Sequence, residues 1–188
     1  MRHIPNILTG LRLLLVPCFL GASMRGLYAV AFVIFVTAAV TDILDGWLAR
    51  RWNVRSKFGA LFDPAADKTL MVCGFLYYTL AHDLPRGGIP GWLTFTVFIR
   101  DFLIAVFAYL MYTRINITRF PPTILGKAST VLQAVTLACV IAVNAFTPRL
   151  EPLAEMLFRA SLVMTLVSGW GYMRRASRIL EQDVLTNA

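Results

Sequence analysis

The 188-residue sequence has little charge, few acids and few cysteines. Charged residues make up 15% of the chain against about 25% in an average globular protein, and hydrophobic residues reach 58%. The low charge excludes an ordinary water-soluble domain, and the apolar content excludes a disordered or collagen-like chain. The three cysteines, Cys18, Cys73 and Cys139, lie in apolar segments without paired spacing, which excludes a disulfide scaffold. We therefore expect an integral membrane protein.

The sequence contains long apolar windows and no visible internal repeat. Six windows, each of roughly the 20 residues that a helix needs to cross about 30 Å of hydrocarbon, are separated by charged or Pro/Gly-rich breaks. They cover residues 4–20, 27–48, 64 or 65 to 80, 92–112, 124–146 and 153–173. Lipid offers no partner for free backbone groups, and no barrel-like alternation is present. The predicted fold is an all-α membrane bundle of six transmembrane helices, forming one domain over residues 1–188.

Positive charge is distributed unequally between the two predicted sides of this bundle. Eleven of the 18 Lys and Arg residues fall on one side, and three fall on the other. The first group is Arg2, Arg50, Arg51, Arg55, Lys57, Arg114, Arg119, Lys127, Arg174, Arg175 and Arg178, and the second is Arg25, Arg86 and Arg149. The positive-inside rule therefore places both termini in the cytoplasm or its equivalent in an organelle. Because the cations are scattered over short loops, we expect no nucleic acid as partner, but anionic lipid headgroups or phosphorylated substrates.

Four of the ten acids lie within 26 positions at the ends of two predicted spans: Asp42, Asp45, Asp63 and Asp67. A carboxylate at the centre of a membrane helix costs about 2.5–3.5 kcal/mol, so this cluster needs partners that neutralise it. Asp42 and Asp45 share one helix face with Gly46 and Ala49.

On the next helix, Gly59, Asp63 and Asp67 recur every four residues, which places them on one face if the helix is continuous there. Alternatively, Pro64 occupies the first helical position and Asp63 is the N-cap, which still leaves Asp67 about one turn further along.

Two pairs of carboxylates form an oxygen-rich site suited to hard divalent cations such as Mg²⁺ or Mn²⁺. Gly46, Ala49 and Gly59 leave space beside the acids, and Arg50 adds a cation that can bind phosphate oxygens. This combination predicts a bound pyrophosphate. The alternative is simple ion pairing of the acids with nearby Lys and Arg, but pairing requires no glycines at fixed positions.

The segment Asp42-x2-Asp45-Gly46-x2-Ala49-Arg50-x8-Gly59-x3-Asp63-x3-Asp67 resembles the complete signature of the CDP-alcohol phosphotransferase family. The flanking residues Pro5, Asn6, Thr9, Arg12, Pro64 and Lys68 are similar to those of its CDP-diacylglycerol-using members. The resemblance covers essentially the whole chain and weakens beyond Pro148.

This resemblance implies a six-helix membrane enzyme, usually a homodimer, that binds a pair of divalent cations, Mg²⁺ or Mn²⁺. It implies that Asp42, Asp45 and Asp63 are metal ligands and that Asp67 is both a ligand and the general base. Gly46, Ala49, Arg50 and Gly59 match the positions that accommodate CDP. The implied reaction transfers a phosphatidyl group from CDP-diacylglycerol to an acceptor hydroxyl and releases CMP. The expected location is the bacterial inner membrane or the mitochondrial inner membrane, with the active site on the positive-inside face.

Two acceptors are compatible with the resemblance: phosphatidylglycerol, giving cardiolipin, and glycerol 3-phosphate, giving phosphatidylglycerophosphate. Phosphatidylglycerophosphate synthases often carry Gly-Lys-x-Lys, whereas this chain has Gly126, Lys127, Ala128 and Ser129. The Arg100-Asp101 pair resembles CMP-forming cardiolipin synthases instead. We therefore predict cardiolipin synthesis, with glycerol 3-phosphate as the alternative acceptor.

Several further residues have both a functional and a structural interpretation. Arg100 and Lys127 are candidates for binding the acceptor or its phosphate, or else are snorkelling or helix-end cations. Gln133 and Asn144 are predicted to form helix-to-helix hydrogen bonds. A small cation transporter is the alternative from another functional class, because intramembrane acids also mark ion pathways.

Overall fold

The computed structural model describes the backbone of residues 4–52, 57–115 and 123–186, and the side chains of residues 14–41, 68–107, 109 and 123–174. These ranges contain six α-helices, one short 3₁₀ turn and no strand. The helices are α1 (Ile4–Met24), α2 (Tyr28–Trp52), α3 (Lys57–Leu80), α4 (Gly91–Ile115), α5 (Ile124–Ala145) and α6 (Glu151–Thr186), and the 3₁₀ turn is Pro148–Leu150. The all-α prediction is confirmed for the described part of the chain.

Two helix boundaries differ from the predicted spans by more than four residues. Helix α3 already begins at Lys57, so the alternative in which Asp63 caps this helix is wrong. Pro64 lies inside α3, where it costs one backbone hydrogen bond without ending the helix. Helix α6 continues to Thr186, well beyond the predicted end at residue 173. In both places the apolar window ends at charged residues, but helical hydrogen bonding continues through them.

One helix of the described residues, Ile124–Ala145, is long and apolar enough to cross a membrane by length and composition. Two shorter apolar helical stretches are Leu14–Met24 and Tyr28–Thr41. All six predicted membrane spans therefore stay predictions.

The chain divides into two compact units. The first comprises Met1–Ile89 and Leu137–Ala154, and its helix α1 packs against α2 and α3. Its core is aromatic: the ring centroid of Phe19 lies 6.0 Å from that of Phe35 and 6.4 Å from that of Tyr78. These three side chains are buried, so the contacts among them connect α1, α2 and α3.

Two turns of the first unit depend on glycine. Gly26 joins α1 to α2 with a φ of 72°, a conformation that side chains disfavour. Gly88, in the segment between α3 and α4, passes so close to the carbonyl oxygen of Tyr78 that a Cβ would collide with it. The amide nitrogen of Ile89 donates to that same oxygen at 2.8 Å, which fixes the end of the segment.

The second unit comprises Pro90–Thr136 and Glu155–Ala188. Its described interior contains many hydroxyl and amide groups, whereas its exposed side chains include many large apolar ones. Within this unit, the buried polar side chains of α5 and α6 are Ser129, Gln133, Thr136, Ser161, Thr165 and Ser168. The exposed apolar ones include Phe95, Phe102, Val131, Val163, Leu166 and Trp170. A water-soluble helical domain has the opposite arrangement, with polar residues on its solvent-facing surface.

Candidate functional site

The acid motif occupies two consecutive helices of the first unit. The last part of α2 carries Asp42, Asp45, Gly46, Ala49 and Arg50, and the first part of α3 carries Gly59, Asp63 and Asp67. Because α3 is helical from Lys57, the residues at 59, 63 and 67 lie on one face, one turn apart. The backbone thus satisfies the condition of the sequence prediction that both halves of the motif are helical.

The side chains of the motif lie outside the described residues, so their roles remain predictions. Among the side chains that are described, no group of three or more His, Cys, Asp or Glu could hold a metal ion. The donor set of the motif, four carboxylates on two helices, has the chemistry of a site for hard divalent cations.

Arg100 lies in the middle of α4 and is only 9% exposed, so the interpretation as a snorkelling cation is wrong. Its Nη1 donates to Oδ1 of Asp101 at 2.7 Å, and its Nη2 donates to Oγ of Ser168 at 2.6 Å. Its Cζ lies 5.8 Å from the ring centroid of Tyr172, within the range of a cation–π interaction. The buried Nε has no hydrogen-bond partner among the described residues. The guanidinium of Arg100 is therefore tied to α6.

Lys127 lies in the first turn of α5, and its side chain is exposed. Thr123 caps this helix: its Oγ1 accepts from the amide nitrogen of Gly126 at 3.0 Å. The carbonyl oxygen of Thr123 also accepts from the amide nitrogen of Lys127 at 3.1 Å. The exposed start of a helix attracts anions, so this turn and Lys127 are compatible with a phosphate ligand.

Tyr172 connects the two candidate cations. Its hydroxyl accepts a hydrogen bond from the amide nitrogen of Thr123 at 3.1 Å, while its ring faces Arg100. The sequence analysis did not identify Tyr172 or Ser168. The available signal was their spacing of four residues on α6, but spacing alone does not reveal a partner on α4 or α5.

Ser129 occupies the position of the second lysine in the Gly-Lys-x-Lys motif, and it is 1% exposed. Gln133 donates from Nε2 to Oγ of Ser129 and to Oγ1 of Thr165, both at 3.2 Å. Since Thr165 belongs to α6, the predicted helix-to-helix hydrogen bond of Gln133 is confirmed. Ser129 thus lies in a neutral, buried network between α5 and α6.

Asn144 has a structural role, but its partners differ from the prediction. It bonds to the main chain of Arg86 and Gly87 in the segment before α4, and to Val140 O of its own helix. The prediction of a helix-to-helix bond is therefore wrong for Asn144.

The family model for CDP-alcohol phosphatidyltransferases matches residues 2–167 of the chain. The chain belongs to this family. A CDP-alcohol phosphatidyltransferase is an enzyme of phospholipid biosynthesis, so the alternative of a cation transporter is not retained. The matched region contains the whole acid motif as well as Arg100 and Lys127.

Relatives within this phosphatidyltransferase family carry names for two different products. The chain is 34% identical over 182 residues to a Mycobacterium tuberculosis protein named probable phosphatidylglycerophosphate synthase, covering 94% of this chain and 82% of the relative. It is 31% identical over 185 residues to the cardiolipin synthase (CMP-forming) of Rattus norvegicus, covering 90% of this chain and 60% of the relative. It is 27% identical over 183 residues to a CDP-diacylglycerol–glycerol-3-phosphate 3-phosphatidyltransferase of Rickettsia typhi, covering 93% and 97%. These names agree on the class of reaction and differ in the acceptor.

Proposed function

We propose that this protein transfers a phosphatidyl group from CDP-diacylglycerol to phosphatidylglycerol, forming cardiolipin and releasing CMP. The observation that carries the proposal is the complete family motif, distributed over two consecutive helices of a chain that belongs to the family.

The donor set of the motif fits two divalent cations, Mg²⁺ or Mn²⁺, held by Asp42, Asp45, Asp63 and Asp67. When bound, the cations would neutralise the negative charge on the pyrophosphate and on the leaving CMP. Carboxylates are the ligands that these hard cations prefer.

The remaining motif residues act on the substrates. Gly46, Ala49 and Gly59 leave room for the CDP moiety, and Arg50 binds its phosphate oxygens. Asp67 accepts the proton of the acceptor hydroxyl as the hydroxyl oxygen attacks the phosphorus that carries diacylglycerol. A new phosphorus–oxygen bond forms, the bond from that phosphorus to the CMP oxygen breaks, and CMP leaves with the electron pair.

The pattern of exposed side chains supports placement in a membrane. Described helices of both units expose apolar side chains at helical spacing, among them Val33 and Val40 of α2 and Phe95 and Phe102 of α4. In water such surfaces favour association, whereas in a bilayer they contact lipid. We propose six transmembrane helices, a homodimer, and both termini and the active site on the cytoplasmic side of a bacterial inner membrane or its mitochondrial equivalent.

The buried position of Ser129 supports phosphatidylglycerol as acceptor. Glycerol 3-phosphate presents a phosphomonoester, which has more negative charge to neutralise than the phosphodiester of phosphatidylglycerol. At the position where phosphatidylglycerophosphate synthases often carry a second lysine, this chain has a neutral side chain that is hydrogen-bonded inside the second unit. Glycerol 3-phosphate remains the second candidate, favoured by the name of the M. tuberculosis relative, which aligns with 94% of this chain.

One assay tests both the reaction and the acceptor. The protein purified in detergent is mixed with CDP-diacylglycerol and Mg²⁺ or Mn²⁺, and phosphatidylglycerol, glycerol 3-phosphate, inositol phosphate or serine is added in turn. CMP release with phosphatidylglycerol alone supports the proposal, and release only with glycerol 3-phosphate rejects the proposed acceptor. If this protein releases no CMP with any acceptor while a control phosphatidyltransferase is active in the same detergent, the proposed function is rejected.

A further inference from the structure

We propose that Tyr172 is a positioning residue that sets the position of Arg100 relative to the first turn of α5, which carries Lys127. The inference rests on the proposed function, in which Arg100 and Lys127 are the candidates for binding the acceptor phosphate. All the contacts that carry it belong to the second unit.

The ring of Tyr172 and the hydroxyl of Ser168 hold the guanidinium of Arg100 from two points of one helix. Ser168 accepts from Nη2 at 2.6 Å, and the ring centroid of Tyr172 lies 5.8 Å from Cζ. Because Ser168 precedes Tyr172 by four residues, both project from the same face of α6. The guanidinium is therefore oriented by α6 and not by α4 alone.

The hydroxyl of Tyr172 holds the start of α5. It accepts from the amide nitrogen of Thr123, the residue whose Oγ1 caps Gly126 and whose carbonyl oxygen accepts from Lys127. A displacement of this hydroxyl would displace the cap, and with it the backbone of the turn that carries Lys127. One side chain thus contacts both parts of the candidate acceptor site.

Gly126 leaves the space that the tyrosine occupies. A Cβ at this position would lie 2.9 Å from the Tyr172 hydroxyl and 3.0 Å from its Cε2. Glycine inside a helix lowers stability relative to alanine. The close approach of Tyr172 supplies a steric reason for glycine in the first turn of α5.

Tyr172 does not itself need to contact the substrate in this arrangement. It is 9% exposed, and it contacts Arg100 and Thr123 and lies against Gly126. Its effect on the reaction would come through the geometry of two cations that belong to different helices. Binding and catalysis are sensitive to displacements of about 1 Å in such groups.

The test is Tyr172→Phe, which keeps the ring and removes the hydroxyl. We expect the KM for the acceptor that the wild type uses to rise roughly three- to tenfold, the change expected for loss of one such hydrogen bond. The KM for CDP-diacylglycerol and kcat should remain within about twofold, because the motif on α2 and α3 is unchanged. Tyr77→Phe is the matched control: its hydroxyl donates to the carbonyl oxygen of Ser23 at 2.7 Å in the first unit. This control should leave the acceptor KM unchanged.

A second pair of variants tests the contact from the other side. Gly126→Ala introduces the colliding Cβ and should raise the acceptor KM more than Tyr172→Phe does. The double variant Gly126→Ala with Tyr172→Phe should have an acceptor KM lower than that of Gly126→Ala but not as low as that of Tyr172→Phe, because the hydroxyl contact is removed while Cε2 of the ring at 3.0 Å and Oγ1 of Thr123 at 3.1 Å remain. Gly171→Ala is the matched glycine control, because its Cβ would make an ordinary 3.7 Å contact with Leu125.

The outcomes separate this inference from the proposed function. A wild-type protein that releases no CMP rejects the proposed function, and the inference with it. An active wild type with an unchanged acceptor KM in Tyr172→Phe overturns the inference alone. Equal loss in kcat and in both KM values would also overturn it, because that is the result of a merely structural role. If Tyr172→Phe does not fold, Gly126→Ala and its control decide by the same criteria.

Discussion

Asn144 and Arg86 are joined by a hydrogen bond from the amide nitrogen of Arg86 to Oδ1 of Asn144, at 3.1 Å. In return, Nη1 of Arg86 donates at 2.7 Å to the carbonyl oxygen of Val143 in the last turn of α5. The last carbonyls of a helix lack partners within it, and a cation there also complements the helix dipole. Arg86 is one of the three cations on the predicted side of the bundle that has fewer positive charges. It also anchors the segment between α3 and α4 to the end of α5.

The first prediction concerns this anchor. Asn144→Leu should lower the free energy of unfolding by about 1–3 kcal/mol, because the side chain is 6% exposed and its loss removes the hydrogen bonds to the amide nitrogen of Arg86 and the carbonyl oxygen of Gly87. CMP release by the folded protein should be unchanged. Thermal unfolding in detergent measures the effect, with Thr96→Ala as control, since that hydroxyl bonds only within its own helix. Equal midpoints for the two variants would contradict the proposed anchor.

The second prediction compares three glycines of the first unit. A Cβ at Gly88 would meet backbone, and one at Gly74 would lie 2.5 Å from Cδ2 of the buried Leu137, whereas Gly21 has nothing within 4 Å. Alanine should therefore destabilise most at Gly88, less at Gly74, and little or not at all at Gly21. Adding Leu137→Ala should relieve Gly74→Ala in part, but it should not relieve Gly88→Ala. Any other order of melting temperatures would contradict the packing.

The third prediction concerns the polar interior of the second unit. The hydroxyls of Thr136 and Ser161 lie 2.7 Å apart and join α5 to α6. A double-mutant cycle with Thr136→Ala and Ser161→Ala should give a coupling energy of about 0.5–1.7 kcal/mol, the range for such bonds between membrane helices. Unfolding in mixed micelles measures it. A coupling energy of zero would show that the bond does not contribute to stability.

The fourth prediction concerns Asp67 as the general base. Asp67→Asn keeps the size of the side chain but cannot accept the proton, so the variant should bind CDP-diacylglycerol and release almost no CMP. Asp83→Asn is the matched control, since Asp83 is exposed in the segment between α3 and α4. Near-normal turnover by Asp67→Asn would remove Asp67 as the base.

Local sequence patterns predicted much of the helical framework. Apolar windows located α1, α2, α4 and α5 to within a few residues, because a span must bury its backbone in an unbroken helix. The same windows missed the start of α3 and the end of α6. Hydropathy reports where the apolar residues end, whereas Lys57 and the charged residues after Met173 continue the helix by backbone hydrogen bonding, which charge does not interrupt.

The family could be identified from acids and small residues at fixed spacing, because a motif on two consecutive helices can be recognised from local periodicity. The environment of Arg100, which depends on Ser168 and Tyr172, became apparent only from the packing of the helices. The same holds for the role of Asn144, which depends on a segment far from it in the chain. A hydrogen bond between distant residues depends on how their helices pack. Spacing along the chain does not contain that information.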